Sequence, residues 1–363
     1  MKSVMYLYFF LVLICLKDTG VECLTNLQIS TVGHAVLGPS DLELRCSYNP
    51  ESGDDIYSID ISAELNGQYR TIVAFYPENK RKDGRLRMDG NYLNGRVTMN
   101  NPNQSSDVAV LIFNQTECID ETMYKCRVTY DSNIGTQNQE SNATAIYLEG
   151  RPTVPDSVPS YIPSAGIEEG MSVVFTCTGN LGKPMGKFRW IVYRRNANGS
   201  MPIQVSLYDN VTTTGLEIPG TCTFNGTSQL TLQAESLDNN AVVRCEVVYQ
   251  DVPQDLYQQS NINVYYSVRN VTVTKSYLHY TFGPGRTTLT CTSDGNPAVR
   301  NDDYKWYKMS QQNTVIETGF QLLTNATVGE SDVYICVAQN SYNGKTFSSN
   351  SSIQIKIGKM LNS

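Results

Sequence analysis

The sequence predicts an all-β chain of three β-sandwiches in tandem, and three observations carry that expectation. Apolar residues alternate with polar ones around six of the ten cysteines, a period of two that marks strands with one buried face. Those six cysteines frame three successive stretches, Cys46 to Cys126, Cys177 to Cys245 and Cys291 to Cys336. The length of 363 residues has room for three sandwiches of roughly 100 residues each. Hydrophobic content of 40% is enough for ordinary cores and argues against disorder.

Each framing cysteine sits on an apolar face. Leu42, Leu44 and Cys46 share one side of a run, as do Val173, Phe175 and Cys177, and Thr287, Leu289 and Cys291. The second cysteines repeat this in Tyr124–Cys126–Val128, Val243–Cys245–Val247 and Tyr334–Cys336–Ala338. The only two tryptophans, Trp190 and Trp306, follow the first cysteines of the second and third stretches at similar distances. Tyr124 and Tyr334 stand two residues before the second cysteines of the first and third.

In these features the chain resembles the immunoglobulin superfamily, and the resemblance covers nearly all of residues 25–357. It implies three immunoglobulin-like sandwiches, bridged between their sheets by Cys46–Cys126, Cys177–Cys245 and Cys291–Cys336. A core tryptophan packs on the bridge in that family, and a tyrosine closes the E–F corner. The first domain resembles the variable type, with Arg96 and Asp120 as its salt bridge. The pattern departs in places. The first domain has no tryptophan, so that Ile59 or Ile61 fills its place. The second has Val243 for the corner tyrosine and Asn239 where an aspartate is usual.

Boundaries follow. Residues 1–23 read as a signal peptide: Lys2, then the apolar run Met5 to Leu16, then Val21 and Cys23 before a cut that leaves Leu24 first. Domain one takes 24–149, domain two 150–265, domain three 266–357, and 358–363 form a short tail. Four prolines between Arg151 and Pro163 suggest a stiff linker. Ile262 to Thr274 reads as continuous strand. The expected location is outside the cell as a secreted protein, with no membrane insertion. Nine sequons agree: Asn103, Asn114, Asn142, Asn198, Asn210, Asn225, Asn270, Asn325 and Asn350.

Cys15 and Cys23 leave with the signal peptide, so Cys118 and Cys222 remain over. In the immunoglobulin arrangement the E–F turn of one domain faces the start of strand E of the next, which makes a Cys118–Cys222 bridge the leading candidate. Bonds to other chains and free thiols are the alternatives.

No catalytic constellation is present. The chain has two histidines, His34 and His279, and none of the spaced motifs of metal or phosphate sites. The expectation is no enzyme and no cofactor. Asp54–Asp55 and Asp302–Asp303 read as solvated loop residues. Net charge of −7 excludes nucleic acid as a general partner. One local exception is Lys80, Arg81, Lys82, Arg85, Arg87 and Arg96 against Glu78, Asp83 and Asp89, a candidate site for an anionic ligand. The loops near 49–55 and 131–141 of domain one are the other binding candidates. The function this supports is a secreted recognition protein of immune or decoy type. The rival is an adhesion or guidance ectodomain, self-associating or receptor-binding, including a soluble form of a longer receptor. Partners would be extracellular proteins or glycans.

Overall fold

The computed structural model describes residues 24–50, 53–77, 84–103, 106–132, 135–194, 204–277, 286–311, 313–325 and 331–356. Residues 1–23, where a signal peptide is expected, Lys80, Arg81, Lys82, Asn198, His279 and the tail 358–363 lie outside them. The chain packs into two compact units. The first is Met1–Pro152 with Leu181–Met185 and Glu217–Phe224. The second is Thr153–Asn180, Gly186–Leu216 and Asn225–Ser363.

The first unit holds a sandwich of ten strands: β1 (Thr25–Val32), β2 (Gly38–Asn49), β3 (Asp55–Leu65), β4 (Gln68–Phe75), β5 (Arg85–Leu86), β6 (Val97–Asn100), β7 (Val108–Thr116), β8 (Met123–Ser132), β9 (Gly135–Glu140) and β10 (Thr144–Ala145). One sheet runs β1-β2-β7-β6 and the other β10-β8-β3-β4-β5, with β9 also on β8. Alternation drives the packing. Leu42, Leu44 and Cys46 from β2 meet Ile59 and Ile61 from β3 and Cys126 and Val128 from β8, all at most 1% exposed. Each fully buried aliphatic side chain contributes about 1.5–3 kcal/mol. A parallel bridge, Val36 to Glu149, ties the start of the chain to its exit from this sandwich. Gly90 is obligatory, since a Cβ there would stand 2.1 Å from the Ile72 carbonyl oxygen.

The second unit holds two sandwiches. One is built from β11 (Ser160–Ile162), β12 (Ser172–Asn180), β13 (Lys187–Arg194), β14 (Gln204–Tyr208), β15 (Thr213–Glu217), β16 (Phe224–Gln233), β17 (Val242–Tyr249) and β18 (Val252–Asn261). Its sheets run β11-β12-β16-β15 and β14-β13-β17-β18. The other comprises β19 (Tyr266–Tyr277), β20 (Arg286–Asn296), β21 (Tyr304–Lys308), β22 (Glu317–Thr318), β23 (Gln321–Asn325), β24 (Ser331–Tyr342) and β25 (Lys345–Lys356), in sheets β19-β20-β23 and β22-β21-β24-β25. Asn343 and Gly344, with φ of +48° and +73°, form the tight turn between β24 and β25.

Two local expectations change. The stretch Ile262 to Thr274 is not one strand. β18 ends at Asn261 and β19 starts at Tyr266, and between them Asn296 Nδ2 donates to Asn263 Oδ1 and to the Val264 carbonyl. The proline stretch is held along its path: Thr153 N–H donates to Asn180 O and Asp156 N–H to Thr178 O. Most of 131–141 is strand β9 rather than loop, because Arg127, Thr129 and Asp131 on β8 each find a polar partner across the ladder.

Candidate interaction site

Four disulfides are present: Cys46–Cys126, Cys177–Cys245, Cys291–Cys336 and Cys118–Cys222, with Cα separations of 6.0, 6.5, 6.4 and 5.6 Å. The last lies wholly inside the first unit. Cys118 opens a 3-10 turn after β7, and Cys222, with φ of +49°, stands just before β16. The core positions correspond across the sandwiches. Trp190 pairs with Cys245 and Trp306 with Cys336 in the strand register. Ile61 pairs with Cys126, so Ile61 rather than Ile59 occupies the tryptophan position of the first sandwich. Trp190 Nε1 donates to Ser228 Oγ at 3.0 Å, and Trp306 Nε1 to Gly319 O at 2.9 Å.

The corners carry buried ion pairs. Arg96 grips Asp120 with Nη1 at 2.6 Å and Nη2 at 3.2 Å, and also donates to the Tyr92 and Gln115 carbonyls. Asp120 accepts from Glu117 N–H, and the Tyr124 hydroxyl donates to the Asp120 carbonyl at 2.8 Å. Burial pushes the Tyr124 phenol well up and that of neighbouring Tyr92 to about 12. Burial works against the Arg96 charge, but Asp120 outweighs it and the guanidinium is held above its ordinary value. In the third sandwich the Tyr334 hydroxyl meets Thr324 Oγ1 at 2.8 Å.

The second sandwich has its own pair, one residue before Asn239. Asp238, not Asn239, takes the corner. Arg194 Nε donates to its Oδ1 at 2.5 Å while its Oδ2 caps Glu235 N–H. The signal was visible: Glu117-x-x-Asp120 and Glu235-x-x-Asp238 are the same capping box. Its arginine comes from the end of β13, whereas Arg96 precedes β6, so the arginine spacing gave no cue.

Two family models for immunoglobulin domains match the chain. The immunoglobulin domain model covers residues 270–355, and the CD80-like C2-set immunoglobulin domain model covers 159–254. The chain belongs to the immunoglobulin superfamily. The full ectodomain of mouse nectin-like molecule 4, with three immunoglobulin domains, is similar over 91% of this chain and 99% of its own, at 16% identity and TM-score 0.55. Bovine butyrophilin is similar over 65% of this chain and 94% of its own, at 12% identity and TM-score 0.39. No curated protein sequence matches. Among the described residues no helix is long and apolar enough to cross a membrane, and no group of metal-ligating side chains converges.

With cores and corners committed to holding the sandwiches, the outward sheet faces are where recognition chemistry can sit. On β3, Ile59 and Ile61 point inward, so alternation turns Ser58, Asp60 and Ser62 outward. The register sets Asp60 between Ala74 of β4 and Arg127 of β8. Beside them Ser62 meets Thr71 at 3.3 Å, Lys125 lies 4.4 Å from the Tyr69 ring centre, and Arg127 pairs with Glu140. Asp60 Oδ1 is buried and has no hydrogen-bond partner among the described residues. Burial holds the Asp60 carboxyl above the usual range, against the pull of Arg87 and Arg127. Tyr57 is 55% exposed at the end of the same strand.

The predicted anionic-ligand residues divide. Arg85 lies in β5 as an exposed cation, and Arg87 is engaged by the Tyr76 hydroxyl and ring. The loop residues Asn49 and Asp55 are the ends of β2 and β3. The asparagines of the described sequons Asn103, Asn114, Asn142, Asn210, Asn225, Asn270 and Asn350 are all exposed, and Asn325 ends β23. None of the nine sequons falls on β3, β4, β5, β8 or β9, whereas Asn114 stands on β7 in the opposite sheet.

Proposed function

We propose that the chain is a secreted, glycosylated recognition protein that binds an extracellular protein partner and has no catalytic role. The binding surface is the outer face of the β10-β8-β3-β4-β5 sheet of its first, variable-type sandwich. The observation that carries this is the coincidence of a half-buried, incompletely paired carboxylate with strands β3, β4, β5, β8 and β9 free of sequons, the Asn142 sequon standing at the β10 edge. A buried polar atom without a partner costs about 1–3 kcal/mol. Folds keep such costs where function needs them. An N-glycan is bulky and would shield whatever face it stands on. Short side chains at Ser58, Ser62 and Thr71, ringed by Lys125, Arg127, Glu140 and Tyr69, supply a flat polar centre with a charged rim. The parallel Val36–Glu149 bridge and the β4–β5 extension support the variable-type reading.

The recognition and adhesion readings share this face and differ in partner. The experiment is saturation binding of labelled, glycosylated protein to host cells, to microbial surfaces and to itself, repeated with Arg127→Glu. Saturable binding to one of these, weakened about tenfold or more by Arg127→Glu, is the expected result. Binding to microbes favours immune recognition, and binding to host cells or self favours adhesion. Saturable binding unchanged by Arg127→Glu would overturn the assignment of the face.

A further inference from the structure

The outer sheets of the three sandwiches end in strands that differ in how they treat their free edges. Exposed edges invite pairing, and natural sheets blunt them with charge, proline, bulges or brevity. Most edges here follow that rule. In the first sandwich β5 has two residues and carries Arg85, β10 has two residues, and β9 ends in Glu140. In the third, β22 has two residues and carries Glu317, and β25 carries Lys345 and Lys356. In the second, β18 holds Pro253, Asp255 with φ of +54°, and a register shift against β17.

Strand β14 is the end strand of its sheet, runs five residues as Gln204-Val205-Ser206-Leu207-Tyr208, and contains neither charge nor proline. End strands β6 and β23 also lack charge and proline, but β14 differs from them in exposing two aliphatic side chains side by side. Its pairing with β13 is regular from Trp190–Tyr208 to Arg194–Gln204. Val205 is 55% exposed and Leu207 52% exposed. The register continues that apolar surface inward, with Ile191 beside Leu207 and Tyr193 beside Val205.

The strand is also complementary to itself. Antiparallel pairing of two copies about Ser206 sets Val205 opposite Leu207 of the second copy, and Leu207 opposite its Val205. Aliphatic then meets aliphatic and no like charges oppose one another, which matters in a chain of net charge −7. We propose that β14 is a self-association seam, where a second copy of this chain pairs edge to edge to make one continuous eight-stranded sheet. A five-residue seam with its flanking side chains is smaller than the roughly 800 Å² per partner of a standard interface. The expected dimer is therefore weak and reversible.

Sedimentation velocity of the full glycosylated chain, from about 1 to about 200 µM, tests this directly. The expected result is a concentration-dependent monomer–dimer equilibrium. Leu207→Lys and Val205→Lys should each weaken it about tenfold or more while leaving the thermal unfolding profile unchanged. Leu323→Lys, at an exposed aliphatic position on the β23 edge, should leave it intact. A monomer throughout the range, or a dimer indifferent to both β14 charges, would overturn the proposal. So would a monomer that dimerises only after Asn210→Gln, since a glycan would then occupy the edge. None of these readouts depends on the first-sandwich face, so failure here and failure there are separable.

Discussion

The outer faces of the first and second sandwiches share a strand framework and differ in how their central charge is partnered. In the first, the position beside the inward Ile61 holds Asp60, set among serines, threonine and alanine. In the second, the corresponding position beside Trp190 holds Arg189, paired with Glu246 of β17 at 2.7 Å, and the same stretch of β13 also turns out Ile191 and Tyr193. There Arg244 lies 3.8 Å from the Tyr257 ring centre and 5.0 Å from that of Tyr193. Inside, both sandwiches do the same thing: a large apolar residue on β3 or β13 sits across from the second cysteine. Inward positions are fixed by the disulfide and the dense core, while outward positions are left to selection for binding. One face is then polar with an acid that lacks a full set of partners, and the other combines an ion pair with aliphatic and aromatic side chains and a stacked cation.

The corner pairs give the largest expected effects. Asp120→Ala leaves Arg96 buried without its carboxylate and should cost about 3–5 kcal/mol. Asp238→Ala should cost less, about 2–3 kcal/mol, because Arg194 makes a single contact to Asp238 and keeps Ser206 Oγ at 2.9 Å. Urea titrations of both variants check the order, and equal losses would remove this difference between the sandwiches.

Arg244→Ala comes next. It removes a guanidinium packed over two rings, with its aliphatic stem, and should cost about 1–2 kcal/mol. A thermal shift indistinguishable from wild type would mean that the stack is loose in solution and that the second face is less ordered than the first.

The smallest effect has the opposite sign. The Asp60 carboxyl titrates above the ordinary value when folded, so the folded state holds its proton more tightly and stability falls as pH rises through that window. The penalty is present at neutral pH and absent once pH drops below about 4, where the carboxyl is protonated in both states. Asp60→Asn should therefore raise the melting temperature at pH 7 and change it little at pH 3.5. A loss of stability at pH 7 would show that Arg87 and Arg127 outweigh burial.

Much of this architecture is legible in the sequence because period-two alternation and cysteine placement are local signals. Leu42-x-Leu44-x-Cys46 marks a one-faced strand wherever it occurs. The face chemistry is not legible in the same way. Alternation says that Ser58, Asp60 and Ser62 point outward, but not that Asp60 is the one enclosed between Ala74 and Arg127. That depends on strand register, which is a long-range property. The break at 262–265 was hidden because Ile262 and Val264 are apolar and alternate, although both are buried outside any strand. Asp238 is inconspicuous in the sequence because the corner lies one residue further from Cys245 than Asp120 lies from Cys126, and the shared capping box reveals the equivalence.

The most direct test of the recognition face is a glycan placed on it. Arg127→Asn creates a sequon with Val128 and Thr129 on β8, and Gln28→Asn creates one with Ile29 and Ser30 on β1 of the opposite sheet. Both should be glycosylated and folded, and their cell-surface binding compared with that of the wild type. Loss of binding with Arg127→Asn and retention with Gln28→Asn is the predicted result. Retention with Arg127→Asn, with the added glycan verified by mass spectrometry, would contradict the assignment of this face.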